Sequence, residues 1–228
     1  NTAKAIGDKV YTTVVNFSVN FFMAVSPQIV KAYASGDNAR MLQLGVKGSK
    51  ISFFLLAVIS FPLLCEMPEV LCMWLGKSEV TEPMIAFSRL LLVYSLIVSL
   101  EPPITQMIRA TGHINRYQLQ VGIWTLSYIP VAALVLWLGG GPTATLVTLI
   151  ALYLWVMVIR VRIAHRIVEL PYRMYVNEVV LPLVKVSVTL GVLYHLYPLL
   201  PLPGGFVGFC IGFAAALSVA VAATWVLG

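Results

Sequence analysis

The stretch VYTTVVNFSVNFFMAVSPQIVKAYASGD, Val10 to Asp37, decides the fold. No charge interrupts it before Lys31, and at about 1.5 Å per residue a helix of that length crosses a hydrocarbon core of about 30 Å. The segment is nevertheless striped. Thr12, Asn16, Asn20, Ala24 and Gln28 recur at every fourth position, so they lie along one helical face from one membrane surface towards the other. A carboxamide turned to hydrocarbon is costly, and the stripe must meet neighbouring helices or a wet cavity. The first makes the segment scaffold; the second makes it part of a transport path.

The rest of the 228 residues share its apolar character: 60% are hydrophobic and only 11% charged, with a mean hydropathy of +0.91. This composition belongs to an integral membrane protein. Seven candidate spans follow, at 10–33, 50–74, 83–109, 116–139, 143–167, 179–199 and 205–227. Helices satisfy their own backbone groups in lipid, and the runs lack the alternation of barrel strands, so the class is all-α. Asn1 in place of Met, no leader before the first span and a last span ending while still apolar give the expectation of a piece of a longer chain.

A net charge of +6 does not indicate nucleic acid. The basic residues gather in alternate connections: Lys31, Arg40, Lys47 and Lys50; Arg109 and Arg116; Arg160, Arg162, Arg166 and Arg173. By the positive-inside rule these connections are cytoplasmic, and the intervening acidic or neutral ones face outward. Lys4 and Lys9, partly offset by Asp8, run against the pattern. Span two should bend at Pro62 and be interrupted by Glu66, Pro68 and Glu69, leaving a short second piece with Trp74 at headgroup depth. Prolines 102, 103 and 130 mark further broken helices, which membranes tolerate where the break is buried in protein or lines a cavity.

The spacing nominates residues for a cavity. Asn16, Asn20 and Gln28 of span one are interhelical hydrogen-bonding glue or cavity lining, and a stripe through the whole thickness favours lining. In span three, Ser88, Ser95, Ser99, Pro102 and Gln106 form a second polar face, flanked by Arg89 about two turns from the outer end and Glu101 about two turns from the inner end. Arg89 either snorkels outward or attracts an anionic headgroup. Glu101 either pairs with Arg109 or another polar neighbour, or carries a proton or binds a coupling cation. Lys185 should snorkel, His195 should be interfacial, and Gly204, Gly208, Gly212, Ala216 and Ala220 should form a close-packing face. Cys65, Cys72 and Cys210 show no ligand spacing. No nucleotide-binding, zinc-hydrolase or serine-hydrolase motif is present, and the chain is not expected to be an enzyme or to hold a metal.

SPQIVKAYASGD at 26–37, FPLLCEMPEVLCMWLG at 61–76 and IRATGHINRYQLQVG at 108–122 resemble, in order and spacing, the signatures of bacterial polysaccharide flippases. These form the O-antigen and capsule branch of the multidrug/oligosaccharidyl-lipid/polysaccharide exporter (MATE-like) superfamily. The resemblance covers most of residues 1–167; the last two spans match only in hydropathy. It implies most of the C-terminal lobe of a two-lobed, V-shaped transporter in the bacterial inner membrane, with an N-terminal lobe to complete it. The implied activity is movement of undecaprenyl-diphosphate-linked oligosaccharide from the cytoplasmic to the periplasmic leaflet by alternating access. It implies membrane lipids as surroundings and no cofactor beyond an H⁺ or Na⁺ coupling ion. A cation-coupled multidrug or metabolite antiporter of the same superfamily, and a structural subunit without transport, are the alternative expectations.

Overall fold

A computed structural model describes residues 2–201, 203 and 205–228, with side chains from Ala5 onward; Gly204 and the Lys4 side chain lie outside the described set. Among the described residues there is no strand, and seven helical segments are long and apolar enough to cross a membrane. The end carrying Trp74 and Gly140, expected outside from loop charge, is here called outer.

Helix α1 (Thr2–Ala34) stops where Gly36, at φ 77°, enters the left-handed region that glycine adopts without steric penalty. Asp37 then caps α2 (Asn38–Cys65), its carboxylate accepting from the Arg40 N–H at 2.9 Å, which satisfies one of the unpaired donors of a helix start. The second span is therefore Asn38–Cys65 rather than 50–74. Its 28 residues reach about 42 Å at 1.5 Å per residue, longer than a hydrocarbon core, so its inner third projects into the interface. Lys47 there is exposed while Gly45, Val46, Gly48 and Ser49 are buried.

The interruption after Pro62 is where the sequence places it. α2 ends at Cys65, and the short α3 (Met67–Leu75) follows with Trp74 exposed. Span three is also broken, into α4 (Glu82–Val98) and α5 (Glu101–Ala110). Pro102 and Pro103 lack the N–H groups that would bond the carbonyls of Val98 and Ser99, so the helix restarts at Glu101. Span four divides at Ser127 into α6 (Ile114–Leu126) and α7 (Tyr128–Trp137). α8 (Pro142–Val168) ends at Glu169, which itself adopts the left-handed conformation at φ 55°. The sixth span starts earlier than 179: α9 (Tyr172–Tyr175) passes through a π-helical turn at Val176–Val180 into α10 (Leu181–Leu196). Pro182 explains the widened turn, since its ring clashes with the carbonyl one turn before it. α11 (Gly205–Leu227) completes the bundle.

α2 is the hub, packing against α1, α4, α5, α10 and α11. Its contact with α11 uses the expected small-residue face: Gly208, Gly212, Ala216 and Ala220 are buried, and the absence of bulk lets the two backbones approach. α6 and α7 lean on α8 and present most of their apolar surface outward.

The corner between α2 and α3 carries a pH-dependent element. Glu66 is buried, its Oε1 accepts the Tyr197 hydroxyl, and burial followed by the nearby Glu69 charge pushes its carboxyl from 4.5 up to about 7. A carboxyl raised in the folded state favours folding at low pH, and that contribution is lost as pH rises through the folded value. Glu66→Gln should therefore match the parent in Tm below pH 4.5 and become the more stable of the two above pH 7. Thermal unfolding of both in one detergent, across that window, measures the gap; a gap independent of pH contradicts the assignment.

Candidate functional site

The most polar ground in the bundle lies where α5 and α8 face each other. Glu101 opens α5, where a carboxylate is favoured by the positive end of the helix dipole. One of its oxygens meets Arg160 Nη2 at 2.9 Å, and the other accepts the Tyr153 hydroxyl at 3.1 Å. Tyr153 and Arg160 are seven residues apart on α8, two turns along one face. Thr105, one turn after Glu101, shares a 2.8 Å hydrogen bond with the Tyr117 hydroxyl, and Arg160 Nη1 donates to both. Arg160 is 4% exposed, and its Nε has no partner. The Glu101 side chain is 29% exposed, so the pair is buried on the arginine side and open on the carboxylate side.

That opening is a cleft of about 450 Å³ between α1 and α5, lined by Met23, Ser26, Glu101, Thr105, Gln106 and Arg109. Pro27 contributes indirectly: lacking an N–H, it leaves the Met23 carbonyl without its usual helical donor, one more acceptor at this level of α1. A second cleft of about 670 Å³ lies nearer the outer ends of α1, α4 and α8, and includes Asp8, Tyr11, Tyr94, Tyr128 and Thr143. Between the two runs an aromatic ladder. Tyr11 stacks on Tyr94 at 5.6 Å between centroids, Tyr94 meets Tyr153 edge-on at 5.0 Å, and Tyr153 holds Glu101. Ring contacts ending in one hydrogen bond thus link the outer cleft to the inner one through the middle of the bundle.

Asn16, Asn20 and Gln28 are exposed, as are Thr12 and Ala24, so within this chain the stripe is not interhelical glue. None of the three amides lines the inner cleft, whose α1 wall is Phe22, Met23 and Ser26. Ser95 and Ser99 are buried and return their hydroxyls to their own helix, to the carbonyls of Leu92 at 2.6 Å and Leu96 at 2.7 Å. They line neither cleft, because the same four-residue periodicity that marks a cavity face also marks a face turned into α1 and α2. Arg89 is on different ground again. Its Nε donates to the Leu64 carbonyl at 3.0 Å and its Nη2 to that of Cys65 at 3.5 Å, while the guanidinium carbon stands 5.6 Å from the Tyr194 ring centre. These are the last carbonyls of α2, so Arg89 reaches to the outer interface, as snorkelling requires.

The expected meeting of the amide stripe with the span-three face across one cavity therefore does not occur. Pro102 and Gln106 of that face line the inner cleft but no residue of the amide stripe does, and the partner of Glu101 is Arg160 rather than Arg109. Arg160, counted among loop cations, is a buried residue of α8.

No family model, curated protein or solved structure matches the chain. Function must accordingly be argued from the clefts and the groups between them.

Proposed function

We propose that this chain is part of a transporter moving a lipid-linked oligosaccharide, carried on a polyprenyl diphosphate, across the bacterial inner membrane by alternating access. What supports the reading is a polar inner cleft between α1 and α5 together with a separate, exposed row of amides on α1. Diphosphate and sugar hydroxyls cannot cross about 30 Å of hydrocarbon without replacements for the water they lose. Asn16, Asn20 and Gln28 offer carboxamide donors and acceptors to hydroxyls, and Arg109 offers charge to phosphate. The prenyl tail stays in lipid while the headgroup passes. Two clefts nearer opposite ends of the bundle, with a tyrosine ladder between them, support a path opened from one side at a time. The three-residue and four-residue polar spacing and the resemblance of residues 1–167 to polysaccharide flippases point the same way.

Cation-coupled antiport takes second place because both Glu101 oxygens are engaged, one by a guanidinium and one by a phenol. A purely structural role leaves the exposed amides without a purpose.

The test is translocation itself. Asn16→Leu combined with Asn20→Leu in the full chain should slow flipping of a fluorescent polyprenyl-diphosphate oligosaccharide in proteoliposomes about tenfold, the effect of losing two hydrogen bonds of about 0.5–1.5 kcal/mol each. Both side chains are exposed, so insertion and thermal stability should be unaltered. Unchanged flipping in correctly inserted protein rejects the amide stripe as the path.

A further inference from the structure

A third cleft, of about 390 Å³, lies on a separate side of α2 from the transport clefts and contains no residue of α1. Its floor is α2 and its walls are α4 and α10. The inner part is largely apolar, with Phe53, Ala57 and Leu96 among its surfaces, and at its outer end stand Arg89 and His195. Arg89 has five N–H donors and uses two on the α2 carbonyls. Among the described residues no carboxylate lies within salt-bridge distance of it, Arg160 with Glu101 being the pair that forms. Ser60, also lining the cleft, is completely buried and its hydroxyl has no partner.

A cation at interfacial depth, an apolar channel leading inward from it and an unsatisfied hydroxyl on the channel wall together describe an amphiphile. We propose that this cleft binds an anionic glycerophospholipid of the outer-facing leaflet. Its phosphate accepts from the free Arg89 N–H groups and from the His195 imidazole. One acyl chain lies inward along Phe53, Ala57 and Leu96, and an ester carbonyl takes the Ser60 hydroxyl. Each part of the ligand answers a group the protein leaves unpaired, and a neutral or zwitterionic lipid answers the cation less well. The lipid would join α10 to α4, two helices that each pack on α2, and so seat the sixth span on the bundle. The inference stands apart from the transport reading, since the transported headgroup uses the other face of the chain.

Native mass spectrometry of the full chain, released from nanodiscs holding equal amounts of phosphatidylglycerol and phosphatidylcholine, provides the test. The parent should retain phosphatidylglycerol about tenfold over phosphatidylcholine, the discrimination expected of a charge-assisted hydrogen bond, and Arg89→Gln should bring the two to parity. Because Arg89 also caps α2, a second variant is needed. A side chain at Gly191, on the cleft wall, meets nothing within 4 Å, so Gly191→Phe fills the channel while leaving the cap intact, and should lose the lipid equally. Gly122→Phe, at an equally open position on α6, should retain it. Equal retention of both lipids by the parent, or undiminished phosphatidylglycerol in Gly191→Phe, overturns the proposal. So does displacement of phosphatidylglycerol by an equal amount of polyprenyl phosphate, which would make the cleft a cargo site.

Discussion

Replacing Glu101 with leucine should destabilise the protein by about 3 kcal/mol, near the lower end of what an orphaned buried charge costs and close to the penalty for a charge at the centre of a membrane helix. The residue left behind is Arg160, 4% exposed and hydrogen-bonded to Thr105 and Tyr117. It cannot draw in water as its former partner could. The reverse change, Arg160→Leu, should have a smaller effect, because Glu101 is 29% exposed to a cleft and Thr105 and Tyr117 keep their mutual hydrogen bond. Replacing both with leucine should recover most of the loss, since the desolvation of two charges disappears along with their attraction. A double-mutant cycle by thermal unfolding in one detergent reads this as a coupling of more than about 1 kcal/mol. On the proposed transport reading, flipping separates two roles for the pair. If it only holds α5 to α8, the double variant regains flipping with its stability; if its charges belong to the path, the double variant is stable and inactive. The second result is expected. A double variant destabilised by the sum of the two single changes would show that the pair is not energetically coupled.

This network also marks the limit of what the sequence discloses. The seven spans, the break after Pro62, the exposed Trp74 and the small-residue face of α11 follow from local chemistry, since proline, charge and side-chain size act within a turn or two. Arg160 was hidden by its neighbours: it heads a run with Arg162 and Arg166, both exposed, and a count of basic residues places all three in a loop. Its position seven residues after Tyr153 on an apolar helix was the available signal. Ser95 and Ser99 show the opposite error, because a hydroxyl can satisfy itself on its own helix and periodicity does not distinguish that from a cavity. The hub was misplaced for a similar reason. Arg40 and Lys47 lower the hydropathy of residues 38–49, yet they decorate one side of a helix whose other side, through Gly45, Gly48 and Ser49, is buried.

Those two glycines should respond to alanine in opposite directions. A Cβ on Gly45 would lie 2.1 Å from Met107 Sδ and 2.7 Å from its Cε, far inside contact distance. Met107 is itself fully buried beside Ile104 and Ile108 on α5, so the thioether has little room to swing away, and Gly45→Ala should destabilise by about 1–3 kcal/mol through overpacking. A Cβ on Gly48 would meet Pro103 at 3.6 Å and Phe22 at 3.7 Å, ordinary van der Waals contact. Gly48→Ala should therefore stabilise, by up to about 1 kcal/mol, because alanine loses less backbone freedom in a helix. Met107→Ala opens a cavity when made alone and should be costly, but combined with Gly45→Ala the new methyl occupies part of that space. The pair should then be less destabilised than the sum of the singles. Thermal unfolding of the four variants in one detergent decides the matter. The consequence reaches the functional site, since α5 begins at Glu101 and carries Thr105. An α2–α5 contact pushed apart at Gly45 displaces the helix that holds the carboxylate against Arg160, and flipping should fall in Gly45→Ala while remaining normal in Gly48→Ala. If both alanines are equally harmless, α5 is not held at its working distance by the missing side chain at position 45.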